Sequence, residues 1–215
     1  MTTLDIINNT PVRNSEPDPA LDPPRPPRKK HMLLWLDTET TGLDPYTCEL
    51  LEVGMQVTDM RGETRDDSLH LVVHPDNVRS WVHHPELLTA YAMHTSNGLM
   101  AESAEAPAEG YDYKHTAWNI REFINDMLDR YILHPAGTNV DFDLRQLDVH
   151  LSKFVTGPIT DGLSHRKLDL SSFRLKDLAN GIDYYRERQQ STHRTDWCIN
   201  RDITEYHLRL TGDRA

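Results

Sequence analysis

Cysteine is scarce in this 215-residue chain, which contains only Cys48 and Cys198. Two cysteines cannot build a disulfide framework, so the composition favours a reducing setting over secretion. Apolar runs are short as well, and none approaches the roughly 18 residues that a membrane helix needs. The first residues lack the basic start and apolar centre of a signal peptide. We therefore expect a cytoplasmic protein with no membrane partner.

Basic residues are also in short supply relative to acidic ones. The chain has 23 Lys and Arg against 34 Asp and Glu, a formal net charge of −11. Proteins that coat long nucleic acids rely on many phosphate contacts from basic residues, so the charge balance argues against that class. It leaves open a reaction on a short nucleic acid at an acidic, metal-carrying site.

The N-terminal stretch differs in composition from the rest of the chain. Seven prolines lie between Pro11 and Lys30, where almost no apolar pattern is present, and a basic cluster follows them. Such a segment buries too little apolar surface to fold by itself. We predict a disordered, Pro-rich tail over residues 1–31 and one folded domain over 32–215. A docking or RNA-contacting role for the basic cluster is the alternative.

Apolar periodicity predicts an α/β fold for the domain. Three strands over 32–36, 50–58 and 68–73 are expected to form an antiparallel meander, and short strands over 132–137 and 168–170 to follow it. Helices are expected over 117–132 and 143–154, after a cap at Ser171, and around the apolar series Ile199, Ile203, Tyr206 and Leu210. Residues 101–115 have the composition of a loop. The pattern indicates a mixed sheet flanked by helices.

An acidic pair, Asp37 and Glu39, follows the first apolar run. Residues two apart in a strand point to the same face, so the two carboxylates are expected to lie side by side. Such carboxylates repel each other unless a cation neutralises them. Oxygen ligands suit Mg²⁺ or Mn²⁺, so the pair predicts a site for a divalent cation.

The segment Leu36–Pro45, with the sequence LDTETTGLDP, resembles the first motif of the DEDDh 3′–5′ exonucleases. This superfamily includes polymerase proofreading subunits and oligoribonucleases. Residues 139–143 are similar to its second motif, and residues 191–194 open a segment similar to the third, written H-x4-D. The resemblance covers residues 32–212. It implies a ribonuclease H-like mixed sheet, with three antiparallel strands followed by short parallel strands.

Two further segments are similar to the oligoribonuclease branch of that superfamily. Residues 93–99 resemble its H-T-x-S-G-L segment, and residues 166–171 resemble its R-x-L-D-V-S segment. The branch implies a metal-dependent 3′–5′ exoribonuclease that acts on short single-stranded RNA, and a homodimer. If the chain is viral, the expected location is the host cytoplasm.

The resemblance implies two divalent cations, Mg²⁺ or Mn²⁺, and a catalytic role for five residues. Asp37 would bridge both ions, Glu39 and the residue at 198 would hold the first, and Asp143 would act close to the pair. His193 would take the proton from the attacking water as general base, which suits the ordinary pKa of histidine.

The third motif departs from the family pattern at Cys198, where the family has Asp. Thiolate is a soft ligand, and Mg²⁺ is a hard ion. Three explanations are open: Asp202 or Asp196 supplies the carboxylate, the cysteine binds a softer metal, or the change weakens catalysis. We favour the third, with Asp202 as the next choice of ligand. A buried thiol without a role is the plain alternative.

The resemblance also assigns residues to substrate binding. Thr40 belongs to the first motif, and Leu43 would insert between the two terminal bases, where an apolar wedge tolerates any sequence. The alternative for Leu43 is a place in the core. His94 would line the pocket for the base or ribose, and its alternative is a surface loop.

Oligoribonucleases select short substrates by holding the 5′ phosphate. Arg166 and Ser171 match two of those positions, and arginine is a bidentate phosphate ligand. Asn139 stands where the family has Ser, and His165 where it has Tyr, so strict selection of dinucleotides is not implied. A structural salt bridge is the alternative role for Arg166.

Three functions are compatible with these motifs. The first is a two-metal exonuclease that releases 5′-mononucleotides from short RNA, weakened by Cys198. The second is a protein that binds nucleotides or RNA ends without turnover. The third is an exonuclease for single-stranded DNA, against which the two oligoribonuclease-like segments count.

Overall fold

The computed structural model describes residues 28–75, 88–184 and 192–212. The predicted tail lies outside these residues up to Pro27, and its domain boundary stays a prediction. The first strand begins at Lys30, two residues before the expected start of the domain.

The five strands of the described residues form one mixed sheet in the order β3-β2-β1-β4-β5. They are β1 Lys30–Thr40, β2 Leu50–Thr58, β3 Arg65–Val72, β4 Tyr131–Gly137 and β5 Leu168–Asp169. β1 pairs antiparallel with β2 and β2 with β3, whereas β4 runs parallel to β1 and β5 parallel to β4. The predicted meander and the mixed α/β sheet are confirmed.

Helices cover both faces of this sheet. They are α1 Leu88–Ser96, α2 Leu99–Glu105, α3 Ala108–Tyr111, α4 Tyr113–Arg130, α5 Val140–Leu151, α6 Leu170–Ala179 and α7 Thr195–Thr211, with a 3-10 turn at Ser152–Phe154. None of the helices in the described ranges is long and apolar enough to cross a membrane.

Two local predictions are wrong. Residues 101–115 are not a loop, because α2, α3 and the start of α4 occupy them. The Ala and Glu residues in this segment favour helix, and the side chain of Asp112 caps α4 by accepting a hydrogen bond from the amide of His115. The cap of α6 is Asp169 rather than Ser171, since the Asp169 side chain accepts from the Ser171 amide at 2.8 Å.

The alternation of side chains along β1 decides which residues reach which layer. Leu34 and Leu36 belong to the core beneath α4 and α5, whereas Leu33 and Trp35 belong to the core beneath α6 and α7. Because side chains alternate along a strand, Asp37 continues the series that faces α7. The strand therefore delivers its acidic end to the space beside that helix.

Helix α7 approaches the sheet closely at one glycine. Gly54 lies opposite Asp37 in the β1–β2 register. A Cβ at Gly54 would meet the Cβ of Thr195 at 2.7 Å and the Cδ1 of Ile199 at 2.9 Å. The first turn of α7 can therefore lie against β2 only because residue 54 has no side chain.

We expect Gly54→Ala to lower the free energy of unfolding by about 1–3 kcal/mol, the usual cost of overpacking a core. The added methyl would also push α7 away from the end of β1. Thermal unfolding measures the first effect, and divalent-cation affinity measures the second.

Gly157→Ala is the control, because the added Cβ would have no atom within 4 Å. The only cost of this substitution is the positive φ of 78°, which alanine rarely adopts. It should lose some stability and leave cation affinity unchanged. Equal cation affinity in Gly54→Ala and the parent protein would contradict the packing argument.

Candidate active site

The site is built where β1 ends. The β1–β2 register shifts between Glu39 and Thr40, directly after the acidic pair. Thr38 lies between the two acids and points to the opposite face, towards α5. Its amide and its hydroxyl both donate to Asp143 Oδ1, at 2.9 and 2.7 Å. These two bonds hold the third acidic residue at the strand end.

Helix α7 adds a thiol to the pair. Ligand atoms of Asp37, Glu39 and Cys198 all lie within 4.8 Å of one another, and no other such group of three is present among the described residues. Asp37 Oδ2 is buried without a hydrogen-bond partner in the described part of the chain. An orphaned carboxylate oxygen beside two further ligands fits a divalent cation, with two hard oxygen donors and one soft sulfur donor.

Burial and mutual repulsion raise the pKa of all three acids. Burial is the largest cause for Asp37, and the charges of Asp143 and Asp202 add to it. The pKa of Glu39 rises from 4.5 to about 9, through burial and then the charge of Asp37. For Asp143, burial outweighs the hydrogen bonds from Thr38, and its pKa rises to about 8. A bound cation would reverse these shifts by stabilising the charged forms.

Cys198 lies on the buried face of α7 and is 6% exposed. Burial raises the pKa of its thiol, and the charges of Asp37 and Glu39 raise it further. Without a cation the group is therefore a neutral thiol at physiological pH. A thiolate requires a positive charge in the site.

Asp202 is buried one turn further along α7, but its oxygens are already engaged. Oδ1 accepts from the guanidinium of Arg201 at 2.7 Å and lies 3.4 Å from that of Arg174, while Oδ2 accepts from the hydroxyl of Thr138 at 2.8 Å. Its use as a substitute ligand would break these bonds. Asp196, the other substitute considered, is exposed and lies outside the ligand group.

Sequence reasoning missed Arg201, which brings a positive charge into the acidic site. Its guanidinium lowers the pKa of Asp37 and of Glu39, although burial and the neighbouring acids outweigh this effect. The available signal was its position three residues after Cys198, since residues three apart on a helix share a face.

His193, the predicted base, precedes α7 and is exposed. Its φ of 48° lies in the left-handed region. Partial burial lowers the pKa of the imidazole, and the nearby charge of Arg201 lowers it further. The shift favours the neutral ring, which is the form that accepts a proton.

Glu52 anchors the start of α7, and sequence reasoning also missed it. Its carboxylate accepts from Arg194 Nε at 2.9 Å, from the amide of Thr195 at 3.0 Å and from His70 Nε2 at 2.7 Å. Burial alone would raise the pKa of Glu52, but these bonds outweigh it and lower the pKa to about 2. This acid is therefore a structural anion.

His94 lies behind the acidic pair rather than in a surface loop. It is fully buried, and its Nε2 donates to the carbonyl oxygen of Thr40 at 3.1 Å and lies 3.6 Å from Glu39 Oε2. Thr40 is also buried, and its hydroxyl donates to the carbonyl oxygen of Gly42 at 2.6 Å. Both side chains contact backbone carbonyl groups within the first motif. Their predicted contacts with substrate stay predictions.

Of the remaining predicted substrate residues, Leu43, Asn139 and Arg166 are exposed and Ser171 is half-buried. Leu43 is 85% exposed, so it is not a core leucine. The amide of Asn139 donates to Ser171 Oγ at 3.1 Å, which brings two predicted phosphate-binding positions together. Arg166 is exposed, and its guanidinium has no ion pair within the described ranges, so the alternative of a structural salt bridge finds no support.

The chain is similar to curated proteins named oligoribonuclease. It is 29% identical over 157 residues to the one from Idiomarina loihiensis, across 70% of this chain and 75% of the relative. It is 34% identical over 92 residues to the one from Leifsonia xyli, across 38% of this chain and 41% of the relative. No protein-family model matches the chain. The predicted resemblance to this branch is confirmed at modest identity.

Solved structures of exonuclease I share the fold. A metal-free complex of Escherichia coli exonuclease I with single-stranded DNA superposes with a TM-score of 0.62 at 14% identity, over 85% of this chain. Exonuclease I from Methylocaldum szegediense gives a TM-score of 0.57 at 17% identity, over 84%. The chain spans about 40% of the length of either protein. At this identity the likeness shows the fold, which confirms the predicted ribonuclease H-like α/β sheet.

The raised pKa of Glu39 makes the metal-free fold sensitive to pH. An acid whose pKa is raised on folding stabilises the fold below its ordinary pKa and loses that contribution as pH rises through the folded value. For Glu39 this interval runs from 4.5 to about 9. The melting temperature in EDTA should therefore fall across it, and Glu39→Gln should reduce the fall.

Differential scanning calorimetry over that pH range measures the effect, with Glu122→Gln on the exposed face of α4 as the control. Addition of Mn²⁺ should raise the melting temperature most at the alkaline end, where the ligands are ionised. A Glu39→Gln profile that parallels the parent profile would show that Glu39 is not the titrating group.

Proposed function

We propose that this protein is a metal-dependent 3′–5′ exonuclease that hydrolyses short single-stranded RNA to 5′-mononucleotides. The observation that carries the proposal is the group of Asp37, Glu39 and Cys198 ligand atoms within 4.8 Å, with Asp143 tethered beside it by Thr38. The relatives named oligoribonuclease support the same reaction class, because their similarity covers up to 70% of the chain.

Asp37, Glu39 and Cys198 would hold the first of two divalent cations, Asp37 would also contact the second, and Asp143 would act close to the pair. When bound, such ions neutralise the phosphate charge and acidify the attacking water. His193 would accept the proton of that water at a ring nitrogen, for which its neutral form is suited.

The surface residues support a short substrate with no required sequence. Leu43 presents an exposed apolar side chain, suited to contact the faces of the terminal bases. Arg166, Ser171 and the side chain of Asn139 would bind the 5′ phosphate of a short RNA. The net charge of −11 agrees with a substrate that brings few phosphates.

Cys198 supports the proposal that turnover with Mg²⁺ is weak. The family pattern has a carboxylate at this position, and a buried neutral thiol offers a hard ion neither charge nor oxygen. The same residue favours the second candidate function, a protein that binds nucleotides or RNA ends without hydrolysis. The likeness to exonuclease I, one structure of which holds single-stranded DNA, favours the third, a DNA exonuclease.

The test is incubation of labelled RNA and DNA di- to pentanucleotides with Mg²⁺ or Mn²⁺. We expect stepwise release of 5′-mononucleotides from the 3′ end, faster from RNA. Binding of 5′-phosphorylated dinucleotides without product would support the second candidate, and faster loss of the DNA series would support the third.

Cys198→Asp should raise kcat/KM with Mg²⁺ by about tenfold to a hundredfold, because it restores a hard, charged ligand. Cys198→Ser, which restores neither charge nor a carboxylate, should not. Cys48→Ser is the matched control, since Cys48 is also buried but contacts Gln146, away from the ligand group. Absence of product from Cys198→Asp on every oligonucleotide would overturn the proposed activity.

We also propose a cytoplasmic homodimer, which is supported by the resemblance to the oligoribonucleases. Light scattering coupled to size-exclusion chromatography measures the mass directly. A mass of 24.8 kDa at all concentrations would contradict the dimer.

A further inference from the structure

The backbone of His193 is held in an unusual conformation. A φ of 48° places it in the left-handed region, which residues with a Cβ rarely adopt. His193 is also exposed, so core packing does not impose this conformation. Such a residue persists only where its surroundings determine the backbone geometry.

The side-chain amide of Asn97 contributes to that constraint. Its Nδ2 donates to the carbonyl oxygen of Thr192 at 2.9 Å and to that of His193 at 2.8 Å. Its Oδ1 accepts from the amide of Leu99 at 3.0 Å. Both amide protons are therefore used on two consecutive carbonyl groups, and the oxygen fixes the orientation of the side chain.

Asn97 lies at the junction of α1 and α2, and the same junction also reaches the acidic pair. Three residues before Asn97, the buried ring of His94 contacts the carbonyl oxygen of Thr40 and lies 3.6 Å from Glu39 Oε2. Gly98, with a φ of 86°, follows directly and leads into the buried Leu99. The junction is therefore fixed against the strand end that carries the cation ligands.

Other contacts hold the residues that follow His193. Arg194 pairs with Glu52 and makes two hydrogen bonds to Glu102, at 3.0 and 2.7 Å. The Thr195 amide is bound by Glu52 as well. These contacts anchor the start of α7, whereas the Asn97 side chain binds the carbonyl groups of Thr192 and His193, one step earlier in the chain.

We propose that Asn97 is a positioning residue, which fixes the backbone at His193 so that the imidazole points to the attacking water. The inference rests on the proposed exonuclease function. Asn97 stands in the segment that resembles H-T-x-S-G-L, at the position where that pattern has Ser. A serine hydroxyl has one proton and cannot donate fully to both carbonyl groups.

The test is a double-mutant cycle between Asn97 and His193. Asn97→Asp keeps the size of the side chain and the bond to Leu99, but it replaces the two donors with an acceptor. We expect it to lower kcat by about tenfold to a hundredfold and to change KM by less than about twofold, since a general base contributes roughly 10² to 10⁴ in rate.

The same substitution should cost nothing further in the His193→Ala protein, because the group that it positions is then absent. An equal loss in both backgrounds would assign Asn97 a merely structural role and overturn the proposal. Asn97→Ser, which is smaller and neutral, repeats the cycle without the added charge and covers the case in which the Asp variant does not fold.

Asn180→Asp is the matched control. The Nδ2 of Asn180 also donates to a backbone carbonyl, that of Lys176 at 2.8 Å, but at the end of α6. It should leave kcat unchanged.

A second measurement separates this inference from the proposed activity. The ¹³Cα shift of His193 reports its backbone conformation in protein that need not turn over any substrate. It should move in Asn97→Asp and stay unchanged in Asn180→Asp. An inactive parent protein would count against the proposed function, whereas an unmoved His193 signal would count against the positioning role of Asn97.

Discussion

The structure depends on the repulsion between carboxylates that the fold buries together at the end of β1. Asp37 and Glu39 share a face of the strand, and Thr38 draws Asp143 to the same point by two hydrogen bonds. Burial deprives these acids of water, and their pKa values rise. Carboxylates that are buried together in this way are stabilised in their charged form only by a nearby positive charge. The guanidinium of Arg201 supplies part of that charge.

The cross-strand pair of Glu39 and Glu52 shows how the fold separates function from structure. The two glutamates lie opposite each other in the β1–β2 register, and both are buried. Arg194, His70 and the Thr195 amide donate hydrogen bonds to Glu52, whose pKa falls to about 2. Among the described residues no hydrogen bond reaches the Glu39 carboxylate, and its pKa rises to about 9. The satisfied acid secures the start of α7. The unsatisfied one belongs to the candidate cation site.

Most of the fold follows from local patterns, and the misses have physical causes. The bounds of β2 are those predicted, because its apolar residues alternate as in a strand and do not fit the periodicity of a helix. The loop prediction for residues 101–115 is wrong because the packing of α2 against β2 is not visible in the sequence. The roles of Arg201 and Asn97 were missed because the groups that they contact lie in distant segments of the chain. The sequence alone does not show which of those segments come together.

The sequence by itself determined that Asp37 and Glu39 face the same way, because a strand repeats every two residues whatever surrounds it. It also marked Asp143, His193 and Cys198 through their motifs. Only the tertiary structure decided what these residues meet: the absence of a side chain at Gly54 lets α7 bring Cys198 to the acids, and the partners of Asp202 engage its oxygens. Backbone geometry decides how residues two apart in a strand are placed relative to each other. Packing and charge pairing decide which residues about a hundred positions apart come into contact.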